Sequence, residues 1–274
     1  MERIPRRVVQ KYGGSSLATV EAIRAVAARV ARTVREGTEV VLVVSAMGRS
    51  TDGLIALASS LHPAPPAREL DLLLATGEIV SASLMAIALH REGVAAEALT
   101  GAQAGLITDG TYGGARIVAF NTARIRALLA RGAVPVVAGF QGMSASGEVT
   151  TLGRGGSDTT AAALAAALGA DRCEIYTDVD GVYSADPRRD PASLRFSYLT
   201  YEEALRLAEN GAKVIHPDAV RWAQSAEIPL VVAKNDASDA LAEGTLIASA
   251  DFRGLPAAEH DLTIIPENVA STRS

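Results

Sequence analysis

The sequence predicts an α/β chain in which a parallel sheet is covered on both faces by helices. Val40–Val44 (VVLVV) is a strand-length run without a polar residue, as in strands buried on both sides. Just before it, Ile23, Val26, Val30 and Val34 recur at helical spacing with arginines between them. Three glycine-rich turns each follow a predicted strand or hairpin, the place where ligands sit in parallel sheets.

The elements follow in order. Arg7–Lys11 reads as a buried strand, Thr19–Glu36 as an amphipathic helix and Val40–Val44 as the second strand. His62–Ala67 (HPAPPA) is irregular, because its prolines remove backbone donors and fix φ. A long helical stretch starts at Arg68, with an interruption expected near Gly77. Strands are expected at Val94–Leu99 and Val134–Ala138, and Met143–Leu152 reads as a hairpin around a Ser-Gly turn. Ser157–Leu168 is a helix with Asp158 in its first turn, where the helix dipole favours a carboxylate. Cys173–Thr177 is a strand, Thr200–Glu209 and Pro217–Ala226 are helices, and Pro229–Ala233 and Thr245–Ala248 are short strands. Ala250–Ser274 has no periodicity and reads as a tail.

Composition narrows the function classes. Over 274 residues, 49% hydrophobic and 21% charged content excludes disorder along most of the chain. A net charge of −5 argues against a broad basic surface for nucleic acid or anionic lipid. The single cysteine, Cys173, allows neither an intrachain disulfide nor a thiolate zinc cluster. His62, His90, His216 and His260 are scattered and read as structural, so no protein-built metal site is expected. The apolar run Thr159–Ala170 is too short for a bilayer, and Met1–Lys11 lacks the apolar core of a signal peptide. A cytoplasmic protein without a membrane partner is the expectation.

The glycine-rich turns are where chemistry is sought. Lys11-Tyr12-Gly13-Gly14-Ser15-Ser16 pairs a strand-end lysine with two glycines whose amides could approach an anion, although a tight turn alone would also call for glycine. Thr151-Leu152-Gly153-Arg154-Gly155-Gly156-Ser157-Asp158 combines a glycine pair with an arginine suited to a carboxylate; the alternative is a capped helix with a surface arginine. In Thr177-Asp178-Val179-Asp180-Gly181-Val182-Tyr183-Ser184-Ala185-Asp186-Pro187-Arg188 the acids fail the calcium-loop consensus, which leaves a ribose-binding strand end or an ordinary loop. No GxxxxGK[ST], complete GxGxxG or GxSxG motif occurs.

Together VVQKYGGSSL, VVSAMGRSTD, ATGE, VVAGFQG, TLGRGGSDTTAAALAAALGAD, EIYTDVDGVYSADPR and GAKVIHP resemble the aspartate kinases of the amino-acid kinase superfamily, in order and across about residues 7–250. The resemblance implies a three-layer α/β/α sandwich with a central mostly parallel sheet. It implies an amino-acid-binding lobe over about 1–150, an ATP-binding lobe over about 151–250, and a tail over 251–274. The implied reaction transfers the γ-phosphoryl group of MgATP to the β-carboxylate of L-aspartate, the first step towards lysine, threonine and methionine.

By that resemblance Lys11, Asp158 and Lys213 are catalytic, with Asp158 orienting the lysines. Aspartate falls to Ser45, Thr51, Glu78, Phe140, Gly142, Arg154, Gly155, Gly156 and Ser157. ATP falls to Lys11, Gly13, Gly14, Ser15, Thr177, Asp178, Tyr183, Asp186, Arg188, Lys213 and Val214, and Mg²⁺ to the ATP phosphates. Lys234 is assigned to the surface. The chain has no room after residue 250 for the ACT regulatory domains of many aspartate kinases, so an enzyme without feedback inhibition of its own is expected. A separate regulatory subunit is the other source of control, and a homodimer is the expected assembly.

Two other readings compete with this one. Kinases for N-acetylglutamate, glutamate, carbamate or a nucleoside monophosphate share the lysines and glycines, but not SAMGRSTD, ATGE and GRGGSD together. A non-catalytic nucleotide- or amino-acid-binding regulator should have lost a charged catalytic residue, and Lys11, Asp158 and Lys213 are all present.

Overall fold

A computed structural model describes residues 6–185, 190, 192–209, 215–237 and 239–252. Its strands are β1 Arg7–Tyr12, β2 Glu39–Val44, β3 Ala96–Leu99, β4 Leu106–Thr108, β5 Ile117–Phe120, β6 Val134–Ala138, β7 Gln141–Ser144, β8 Val149–Thr151, β9 Arg172–Thr177, β10 Tyr198–Thr200, β11 Leu230–Lys234 and β12 Thr245–Ala248. Its helices are α1 Val20–Arg35, α2 Ser50–Leu61, α3 Ala67–Arg91, α4 Ala123–Ala130, α5 Gly156–Leu168, α6 Tyr201–Glu209, α7 Pro217–Ser225 and the single turn α8 Ala240–Glu243.

The main sheet has the order β10-β12-β11-β9-β1-β2-β6-β3. Every neighbouring pair is parallel except β11 and β12. Its strands alternate between two apolar layers, as period-two side chains must when both faces are covered. Val41 and Val43 point into a core shared with α4, α5, α6 and α7. Val40, Leu42 and Val44 point into a second core with α1 and α3. This is the three-layer sandwich expected.

β1 carries the same alternation into chemistry. Val9 joins the α5 layer and Tyr12 the α1 layer. Lys11 is therefore delivered to the α5 side, where it meets Asp158. On the opposite face Gln10 and Tyr176 donate to Glu174, and Tyr176 stacks on Tyr12 with ring centroids 4.7 Å apart. Arg172 completes the pairing of that buried carboxylate. Unpaired, the Glu174 charge would cost several kcal/mol.

The structure departs from the sequence reading at several places. α3 runs unbroken through Gly77, where the helix passes so close to Ala46 that an added Cβ would stand 3.0 Å from its methyl. It is also long and apolar enough by length and composition to cross a membrane, yet half of that window is buried within the fold. α2 was not expected: it buries no residue, so it has no clear apolar stripe to read. A second sheet, of order β5-β4-β7-β8, takes in the predicted hairpin as β7 and β8. Its other strands, like β10, are three or four residues long, too short for periodicity to declare.

Candidate active site

The carboxyl ends of β1, β2, β6 and β9 lie side by side; the glycine-rich turns after Lys11 and Thr177 leave from β1 and β9, and the arginine turn follows β8 of the second sheet. After β1, the Gly13 N–H donates to the Tyr176 carbonyl (3.2 Å) and the Gly14 carbonyl accepts from the Gly48 N–H (2.9 Å). The Gly13 amide, expected to receive phosphate, is thus committed to β9. The Gly14 amide has no acceptor among the described residues. A Cβ on Gly14 would stand 2.8 Å from the Ala46 carbonyl, so only glycine lets the turns after β1 and β2 meet. Ser15 is exposed; Ser16 is buried, with a hydroxyl that has no partner among the described residues.

Lys11 Nζ lies 2.7 Å from Asp158 Oδ1, with both side chains nearly buried. The glycine turn at 153–156 starts α5 and so places Asp158 in the first turn, facing the end of β1. Gly155 has φ +71°, and a Cβ there would stand 2.5 Å from the His216 ring. His216 caps α7 by accepting the Asp218 N–H on Nδ1, so the start of α7 rests on the arginine turn.

Glu78 sits on the buried face of α3, only 3% exposed. Its Oε1 accepts the Ala46 N–H at 3.2 Å, and its Oε2 is buried without a partner among the described residues. Burial pushes its carboxyl up to about 7. Ser45 and Thr51 flank the same turn, Ser45 after β2 and Thr51 in the first turn of α2.

Phe140 follows β6 with φ +68°, which side-chain-bearing residues seldom adopt. Its N–H donates to Thr160 Oγ1 and its carbonyl accepts from the Leu152 N–H. Its ring covers Gly156. Ser157 is buried against Gly139, whereas Arg154 is exposed and pairs with no carboxylate among the described residues.

Other expected residues fall differently. On Gly142 the direction a side chain would take is filled by Leu106 and Thr108, which makes it a packing glycine of the second sheet. Thr177 ends β9 and donates to Asp178. Tyr183 donates to Asp180 at 2.8 Å. Lys234 is exposed and pairs with Asp236. Asp186, Arg188, Lys213, Val214 and His260 lie outside the described residues. Sequence reasoning missed Asp71, Gln141 and Thr160, which fasten the pocket from behind. For Asp71 a signal existed: a carboxylate seven residues before Glu78, two helical turns back on the same face, between Leu70 and Leu72.

The amino acid kinase family model matches residues 6–234. The chain belongs to the amino acid kinase family. It is 52% identical over 225 residues to the aspartokinase of Geobacillus stearothermophilus, covering 82% of this chain and 55% of that one. It is 49% identical over 257 residues to the aspartokinase of Corynebacterium glutamicum, covering 93% and 60%. The chain thus spans only a little over half the length of these relatives. Aspartate kinase from Synechocystis superposes with a TM-score of 0.78 at 46% identity, covering 91% of this chain and 40% of that one. E. coli aspartokinase III, solved with aspartate and ADP, gives 0.79 at 29% identity over 90% of this chain and 66% of that one.

Proposed function

We propose that the protein is an aspartate kinase, transferring the γ-phosphoryl group of ATP to the β-carboxylate of L-aspartate. The observation that carries the reading is Glu78. A buried carboxylate with one oxygen unpartnered among the described residues, held at a turn that touches the glycine turn after Lys11, suits the α-ammonium of a small amino acid. Exposed Arg154 supplies a bidentate partner for a carboxylate of the same molecule. The relatives add aspartate and nucleotide as the ligand pair.

In this reading residues up to about 150 chiefly hold the amino acid and those beyond chiefly hold ATP. A carboxylate oxygen of aspartate attacks the γ-phosphorus, the bond to the ADP oxygen breaks, and an acyl phosphate results. The nucleophile is already ionised at neutral pH, so no side chain need remove a proton. What the protein supplies is positioning and charge. Lys11 sets a cation where two anions must approach, and Asp158 holds that cation in place. Ser45, Thr51, Phe140, Gly155, Gly156 and Ser157 shape the acceptor side, while Thr177, Asp178 and Tyr183 lead towards the nucleoside. Asp186, Arg188, Lys213 and Val214 keep the nucleotide roles the family resemblance gives them. Mg²⁺ would be carried on the phosphate oxygens of ATP and on water. When bound, the ion neutralises phosphate charge.

The test is ADP release by the purified chain with MgATP and L-aspartate, against no acceptor, glutamate and N-acetylglutamate. Aspartate-dependent turnover that vanishes in Lys11→Ala is expected. Folded, ATP-binding protein that shows no turnover with any of these acceptors would overturn the reading.

A further inference from the structure

Asp71 is a buried carboxylate that accepts from three donor groups, and it touches none of the residues assigned to substrate. It is 1% exposed on α3. Its Oδ2 accepts the Thr151 N–H at 2.8 Å, its Oδ1 accepts the Thr151 hydroxyl at 2.8 Å, and both oxygens lie 3.0–3.1 Å from the Gly113 N–H. Thr151 ends β8, and the chain runs directly from it into Leu152-Gly153-Arg154. The Ala115 N–H also donates to the Thr151 carbonyl, so the strand end is clamped from both sides.

Asp71 and Glu78 are seven residues apart on one continuous helix, two turns and about 10 Å along the same face. Between them the Ala75 carbonyl accepts from Gln141 Nε2 at 2.6 Å, which fastens β7 to the same helix. α3 therefore holds the turn after β2 through Glu78, and the strand that launches the arginine turn through Asp71. We propose that Asp71 is a positioning residue of the amino acid pocket. Through Thr151 it holds the Arg154 turn in register with Glu78, so that α3 sets the separation of the ammonium-binding and carboxylate-binding groups. This rests on the aspartate kinase reading for the identity of the ligand, but not for the geometry.

Asp71→Asn places an amide N–H₂ against backbone N–H donors that now meet a carboxylate oxygen, and it releases the strand end. Two readouts test the proposal on the full chain. Initial rates should show the KM for L-aspartate raised about tenfold or more while the KM for ATP stays within about twofold. Limited trypsin digestion, followed by mass spectrometry of the fragment ending at Arg154, should show that cut accelerated about tenfold relative to other sites. Thr151→Val removes one of the bonds without a buried clash, and should move both readouts in the same directions by less. It serves if Asp71→Asn does not fold. A parallel rise in both KM values, or an unchanged cut after Arg154, would overturn the proposal. If the wild-type protein shows no aspartate-dependent turnover, the functional reading fails and the tryptic rate alone decides whether Asp71 positions the turn.

Discussion

Lys11 Nζ and Asp158 Oδ1 stand 2.7 Å apart with side chains 11% and 13% exposed, a pair sheltered enough that neither charge is easily left alone. Removing one partner from such a pair costs about 3–5 kcal/mol, because the other charge stays desolvated. Asp158→Asn should therefore lower stability by an amount of that order. The double variant Lys11→Met/Asp158→Asn should recover most of it. Neither should restore activity, since each lacks a charge that the proposed mechanism places at the phosphoryl group, and kcat should fall about 10²–10³-fold or more. Denaturant melts beside initial rates check both. Stability and activity that return together in the double variant would show the pair to be structural.

Glu78 sets a pH signature. Burial raises its carboxyl to about 7 in the folded chain against an ordinary 4.5. The folded state then holds the proton more tightly, so this stabilising contribution is full below about pH 4.5 and is lost as pH rises through about 7. The rise corresponds to about 3 kcal/mol. Glu78→Gln lacks that titration, so its stability relative to wild type should grow across this window and then level off. An ammonium ligand needs the ionised form, so the wild-type KM for L-aspartate should climb as pH falls below 7, towards about tenfold per unit. A flat profile would remove Glu78 from the amino acid site.

Phe140 holds φ +68°. A side chain in that region costs about 1–2 kcal/mol relative to glycine. Phe140→Ala loses the ring while keeping the strain, and Phe140→Gly loses both. The glycine variant should be the more stable of the two by about 1 kcal/mol in denaturant unfolding. Both should weaken aspartate binding, because the ring that covers Gly156 is gone. An alanine variant as stable as the glycine variant would mean that the backbone relaxes once the ring is removed.

The main sheet was legible because its strands are uniform: Val40–Val44 and Val134–Ala138 can only be buried, and the structure buries them. Lys11 and Asp158 stand beside paired glycines, a pattern a tight turn or a capped helix would also produce, and it was the family resemblance that made them candidates. What the residues did not declare was context. Gly77 breaks no helix, because its missing side chain is what lets α3 touch Ala46. Gly13 gives its amide to β9 rather than leaving it for an anion, a contact set by strands 164 residues apart in the chain. Asp71 escaped notice because its partners, Gly113 and Thr151, come together only when the second sheet folds against α3.

Gly155 joins two parts of the site, and its substitution separates their contributions. It has φ +71°, and the His216 ring and Cβ occupy the space a side chain would need, at 2.5–2.6 Å. Gly155→Ala therefore meets two obstacles: a left-handed backbone costing about 1–2 kcal/mol and a clash with the capping residue of α7. His216→Gly removes the clash and leaves the backbone term, at the loss of a helix cap worth about 1 kcal/mol. Gly155→Ala alone should be destabilised by more than about 2 kcal/mol. In the double variant the two changes should sum to less than their separate costs, a non-additivity that marks residues in contact. Chemical denaturation of the four proteins measures it. Strict additivity would mean that His216 does not rest on this turn in solution.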